Sequence, residues 1–293
     1  MAAALALVAA LLFALAATLQ QKGAMHLQKV SLAHPMSLIR LGGQTTWLIG
    51  TLVVGAGYLF QTAALDRGRL SVIQPLLVST VVFALPMGYF LTRQHVGRRE
   101  VSGAVAIVIG LGLFVYFGDP AGGKATASNT QWAITIFLCV LVCVLILMVR
   151  SPNPSRKAAV YGTVAGVLYG LASSLAIPTL AYLDESVGTM LSHWECYALA
   201  LAGVLGFVIQ QVSLGTGRLA PSVATVAVAN PVVAILIGIV LLDERLSRPA
   251  WHILVAVAGL GLTFAGAVVI SLARDATDPE PTHVTTGAFT EPG

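Results

Sequence analysis

Inside the long apolar stretches of this 293-residue chain stand a few uncharged polar side chains, and their chemistry is hydrogen bonding rather than bond making. Gln61, Gln74, Ser79 and Thr80 lie in the first half, Ser173, Ser174, Gln210, Gln211 and Asn230 in the second, and Gln20 and Gln21 close the first run. Polar groups in apolar surroundings are costly and usually face the interior of a helical bundle. There an amide or hydroxyl either ties two helices together or takes over part of the hydration shell of a passing solute, and the sequence leaves both roles open. Pro75 and Pro231 stand next to Gln74 and Asn230. A proline removes a backbone donor and frees a carbonyl one turn back, which can hold an ion or polar solute. The candidate pathway is therefore Gln61, Gln74, Pro75, Ser79, Ser173, Ser174, Gln210, Gln211, Asn230 and Pro231.

Charged chemistry is confined to the ends of the apolar runs. Asp184, Glu185 and Glu195, with His193, gather in one connecting segment, where they would attract a cation at an outer mouth or simply form a solvated loop. No Asp, Glu, Lys or His falls in the middle of any run, which weighs against proton antiport. There are no paired acids, no HExxH and no Ser with His and Asp at matching depth, so no catalytic residues and no enzyme are expected. The six histidines lie at run ends, in loops or in the tail, and Cys139, Cys143 and Cys196 suit packing better than a disulfide or metal. No metal site and no cofactor is expected.

The elements that must position these side chains are helices in lipid. Residues are 57 % hydrophobic and 10 % charged, with mean hydropathy +0.88, more apolar surface than a soluble domain can hide. The net charge of +4 is scattered in short clusters between apolar runs, a loop pattern rather than a nucleic-acid footprint. Nine runs approach the roughly 20 residues that a span needs: 2–20, 43–65, 70–92, 100–117, 131–149, 158–182, 195–214, 220–242 and 251–272. Pro86, Pro178 and Pro221 join Pro75 and Pro231 as expected kinks. The tail from residue 274 is rich in Pro, Thr and acids and is expected to be disordered. The first run resembles a secretory signal in its Ala and Leu content, but no Lys or Arg precedes it and a matching helix recurs later, so it is expected to stay.

That recurrence organises the chain. At an offset of 149, Gly57, Gln61, Leu65 and Gly68-Arg69-Leu70 fall on Gly206, Gln210, Leu214 and Gly217-Arg218-Leu219, and Gly110 to Leu113 on Gly259 to Leu262. At an offset of 156, Leu12 to Leu19 fall on Leu168 to Leu175, and Ala6, Ala10 and Ala14 on Gly162, Gly166 and Gly170. The expected fold is thus all-α, a polytopic membrane bundle of about nine transmembrane helices: two inverted four-helix repeats (1–117 and 158–273) joined by a linker with a central helix (118–157), then the tail (274–293). Inversion follows because four spans plus one odd crossing start the second copy on the other side. Eleven of the sixteen Lys and Arg then share one side, which places the chain in the cell (inner) membrane with its N-terminus outside and its C-terminus in the cytoplasm. The glycine stripe Gly162, Gly166, Gly170 lets backbones approach closely and leaves room for a path.

The Gly-Arg turn, the Pro-bearing helix after it, the loop Asp243-Glu244-Arg245-Leu246 and the Gly-rich last helix resemble the drug/metabolite transporter (DMT) superfamily and its EamA-type repeats, over the chain up to about residue 272. The nine-span layout and Lys22-Gly23 after the first helix are similar to the NIPA-type magnesium transporters of that superfamily. The first copy departs from the pattern, with Arg93-Gln94-His95 at the acidic loop's place. The resemblance implies a secondary transporter moving a small solute by alternating access, or, on the NIPA side, a magnesium or other divalent-cation transporter or channel. A membrane scaffold without flux is the reading from another class; the symmetric, Pro-broken halves argue against it. The partners expected are the bilayer and a small-molecule or ion substrate, with a homodimer compatible and nucleic acid not.

Overall fold

The computed structural model describes residues 1–25, 35–67, 76–94, 96–118, 120–121, 126–242, 245–246 and 249–272, and the statements that follow concern these. Apolar runs in lipid must satisfy every backbone polar group internally, and a helix does so within one segment. Accordingly the chain forms α1 (Ala2–Met25), α2 (Pro35–Leu41), α3 (Thr45–Arg67), α4 (Thr80–Thr92), α5 (Arg98–Gly118), α6 (Asn129–Met148), α7 (Pro154–Glu185), α8 (Val187–Ser192), α9 (Trp194–Leu214), α10 (Leu219–Val240) and α11 (Ala250–Leu272). Two-residue strands, β1 (Pro120–Ala121) and β2 (Arg245–Leu246), pair antiparallel between the loops that leave α5 and enter α11.

Among the described residues seven helices are long and apolar enough to cross a membrane: α1, α5, α6, α7, α9, α10 and α11. The runs expected at 43–65 and 70–92 fall on α3 and on a shorter apolar helical stretch, Leu76–Thr92, that contains α4. Residues 70–75 of the second run, Gln74 and Pro75 with them, lie outside the described residues. The outward faces confirm the solvent: Leu59, Phe90, Leu138, Val204 and Leu254 are all more than half exposed, a surface only lipid would cover.

Helix ends follow local chemistry. Asn153 caps α7, its Oδ1 accepting from the backbone nitrogens of Ser155 and Arg156 at 2.9 and 3.2 Å, with Pro154 opening the helix where no donor is missed. Asn153→Ala should lower stability by about 1 kcal/mol in a thermal melt of the detergent-solubilised protein, with no change in helix content. Ser128 and Gln131 form a capping box at α6. Pro86, Pro178 and Pro231 stand inside α4, α7 and α10. Pro221 does not kink α10: it occupies the first turn, where the missing N–H has no intrahelical partner to lose.

Packing places α1 at the centre of one group, against α3 and α4, and α7 at the centre of another, against α9 and α10. On α1, Ala6, Ala10 and Ala14 are fully buried. On α7 the glycine stripe is filled rather than open: a Cβ on Gly166 would meet the Ala229 methyl at 2.6 Å, and one on Gly170 the Asn230 carbonyl oxygen at 2.7 Å. The room these glycines provide is taken by α10. Helices α5 and α11 run antiparallel in close contact, Gly110 against Gly259 and Gly103 against Gly266. The central helix α6 touches chiefly α7, through a face carrying Trp132, Cys139 and Cys143. All three cysteines are free. The largest apolar core joins α1, α4, α5, α9, α10 and α11, so the two groups share an interior.

Candidate functional site

The chain directions put the C-terminal ends of α1 and α9 and the N-terminal ends of α3, α7 and α10 at one end of the bundle, together with Lys22, Arg40, Arg156 and Arg218. This is the basic end. Asp184, Glu185 and Glu195 lie at the other.

Of the amides and hydroxyls expected to line a path, Gln61 is half-buried on α3 and Gln210 half-buried on α9. Gln210 is fixed from α7, where the Tyr169 hydroxyl donates to its Oε1 at 2.6 Å. The equivalent of Tyr169 in the first copy is Phe13, which has no hydroxyl to offer. Ser173 donates to Asn230 Oδ1 at 3.4 Å, a long bond between α7 and α10 beside Pro231. Ser174 is buried and donates to the carbonyl of Gly170 in its own helix at 3.0 Å, so its hydroxyl is spent locally. Ser79 forms the one-residue break before α4 and makes no side-chain cap bond.

A denser polar cluster lies at the basic end, where Gln20, Gln21 and Gln211, expected as polar groups in apolar runs, are joined by Trp47, Thr51 and Gln94, which were not. Gln211, 2 % exposed, accepts from Trp47 Nε1 at 2.7 Å and donates to Gln20 Oε1 at 3.3 Å. Gln20 in turn donates to Thr51 Oγ1 at 3.3 Å, and Thr51 to the Trp47 carbonyl at 3.1 Å. Beside this chain Gln94 donates to Gln21 Oε1 at 2.7 Å while its own Oε1 accepts from the Leu219 backbone N–H at 3.0 Å. Leu219 opens α10, whose N-cap residue Arg218 supplies no side-chain cap bond. Gln94 thus caps α10 from the other half of the chain, a service local sequence signals cannot reveal because 125 residues separate the partners. Gln20 and Gln21 were visible as amides at a run end; Trp47 and Gln94 carried no such signal.

At the opposite end the three carboxylates part company. Asp184 and Glu185 are exposed, whereas Glu195 is 3 % exposed in the first turn of α9. Tyr182 of α7 lies close to the Glu195 carboxylate, and Glu195 Oε2 has no protein partner. His193 stacks on Tyr182 with ring centroids 3.8 Å apart, and Trp132 meets Trp194 edge-on at 6.3 Å. Trp194 donates to Asn129 Oδ1 at 3.1 Å, binding α9 to α6. Among the described residues no group of three or more His, Cys, Asp or Glu could hold a metal ion.

No family model matches the chain, and no solved structure does. Two curated proteins are similar to it. An uncharacterized protein of Corynebacterium glutamicum is 27 % identical over 235 residues, which is 80 % of this chain and 81 % of that protein. The probable magnesium transporter NIPA9 of Arabidopsis thaliana is 23 % identical over 270 residues, 86 % of this chain and 76 % of that protein.

Proposed function

We propose that this chain is a membrane transporter of the drug/metabolite type that moves a small polar solute by alternating access between two inverted halves, residues 1–117 and 158–273. The observation that carries the proposal is the polar seam between those halves: Gln211 and Leu219 of the second are tied to Trp47, Gln20 and Gln94 of the first at one end of the bundle. Buried amides that bridge the two helix groups beside their shared apolar core are the groups a rocking motion would part and remake.

Inversion has support from how the repeats meet. Gly110 and Gly259, equivalent at the offset of 149, lie against each other on antiparallel helices. Two equivalent residues touching on antiparallel helices imply a pseudo-two-fold axis across the helices, in the membrane plane. Such an axis maps the Gly103–Gly266 contact onto the pair Phe117 and His252, whose rings lie 5.4 Å apart. It also maps Gly57 against Phe13 onto Gly206 against Tyr169. With the basic end in the cytoplasm by the positive-inside rule, the seam closes the cytoplasmic side, Gln210 stands at the depth of the seam next to Gln211, and Gln61, Ser173 and Asn230 lie farther along the path.

A divalent-cation route is the second reading, favoured by the similarity to the probable magnesium transporter NIPA9. The exposed Asp184 and Glu185 would draw cations to the outer end, with Glu195 beneath them. One experiment separates the readings: uptake by purified protein in sealed liposomes carrying a magnesium-sensitive dye, with and without a membrane potential. Saturable, potential-driven entry that is lost in Glu195→Ala supports the cation reading. No magnesium entry, with saturable uptake of a polar organic solute in a competition screen, supports the first. A folded, reconstituted protein that moves neither would sink both.

A further inference from the structure

The repeats are alike in fold but not in what they place at their gates. The seam at the basic end uses Gln20, Trp47, Thr51 and Gln211. The inverted equivalents, by the offsets of 156 and 149, are Ala176 for Gln20, Cys196 for Trp47, Ala200 for Thr51 and Thr62 for Gln211. By sequence these equivalents carry no amide and no indole, so the groups that build the lattice are not repeated at the inverted positions. The packing agrees: among the described residues α1 packs on α9 at the basic end, while α3 and α7, the inverted pair, are not among the closely packed helices.

We infer that the amide lattice is a one-sided latch that holds the resting protein closed at its basic end, with Gln211 the keystone and Gln94 a positioning residue that docks α10 onto the first half. This deepens the alternating-access reading and rests on it. Gln211 makes two of the three lattice bonds that cross between the halves, and Leu219 N–H to Gln94 is the third. Each neutral bond is modest, so the latch is strong enough to bias the equilibrium and weak enough to open. Gln21 Nε2, fully buried and without a protein partner, keeps the cluster from being fully satisfied and so from locking permanently.

The test is a distance measurement that needs no transport. Spin labels are placed at Lys22→Cys and Thr216→Cys, on the ends of α1 and α9, with the three native cysteines replaced by alanine, and pulsed electron resonance is recorded in nanodiscs. The unaltered lattice should give one short distance. Gln211→Leu should add a longer-distance population, about a tenfold rise in the open fraction, and Gln94→Leu a smaller one. Ser213→Ala is the control, since it breaks buried bonds to Ala158 and Ser222 wholly inside the second half; it should leave the distances alone. Unchanged distances in both Gln211→Leu and Gln94→Leu, in folded protein, overturn the latch even if solute moves. A clear opening without any flux keeps the latch and removes the transport reading.

Discussion

Gly110→Leu should leave the protein unable to hold α5 against α11, and the loss should exceed that of any other single substitution considered for this chain. A Cβ at Gly110 would run into the backbone carbonyl of Gly259 and lie 2.6 Å from the Thr263 nitrogen. Side chains can swing away from an intruder; a helix backbone cannot, so the helices must separate. Overpacking a well-filled interior costs about 1–3 kcal/mol where neighbours can yield, and here the cost should reach the upper end or beyond. Much of the interface goes with it, because Gly103 and Gly266 make the same close approach seven residues along in each direction. In practice the variant should elute as aggregate in detergent, or melt at least 10 °C lower. Gly112→Leu is the matched control: it makes the same chemical change two residues away, where an added Cβ meets nothing within 4 Å, and should behave as wild type. If the two variants are equally stable, the glycine contact is not what joins these helices.

The pairing of Gly110 with Gly259 also shows which parts of the fold could be read from sequence. Apolar runs of spanning length favour helices because lipid offers the backbone no other partner, and among the described residues seven of the expected runs fall on helices long and apolar enough to span. Close-packing glycines were legible for the same reason, since small residues at helical spacing are how membrane helices approach. Their consequence was not: the stripe on α7 was open to two uses, and only the position of α10 shows that packing takes all the room. Pro221 was misread as a kink because its place relative to the helix start decides its effect, and that start depends on a cap supplied by Gln94. Glu195 and Glu185 look alike in sequence, yet one is buried and the other exposed, a distinction that tertiary packing sets. Residues that act through long-range partners leave no periodicity to detect. The loop acids Asp243 and Glu244, with Gln74 and Pro75, lie outside the described residues.

The second large effect concerns the symmetric amides, and it should appear chiefly in flux. With both Gln61 and Gln210 replaced by alanine, solute uptake in liposomes should fall at least tenfold while the protein still inserts and purifies as wild type. The singles should differ, because the two amides have different neighbours. Gln210 holds the Tyr169 hydroxyl at 2.6 Å, so Gln210→Ala leaves that hydroxyl without its acceptor and should cost about 1–2 kcal/mol of stability as well as flux. In the first copy Phe13 stands where Tyr169 stands in the second, so no hydroxyl is orphaned and Gln61→Ala should lower uptake with almost no change in melting. Adding Tyr169→Phe to Gln210→Ala should then restore the lost stability, since it removes the unsatisfied group, but should not restore flux. That separation of melting from uptake is what a pathway role demands. Were Gln210 merely a bridge between α7 and α9, uptake and stability would return together in the double variant, and uptake in Gln61→Ala would match wild type.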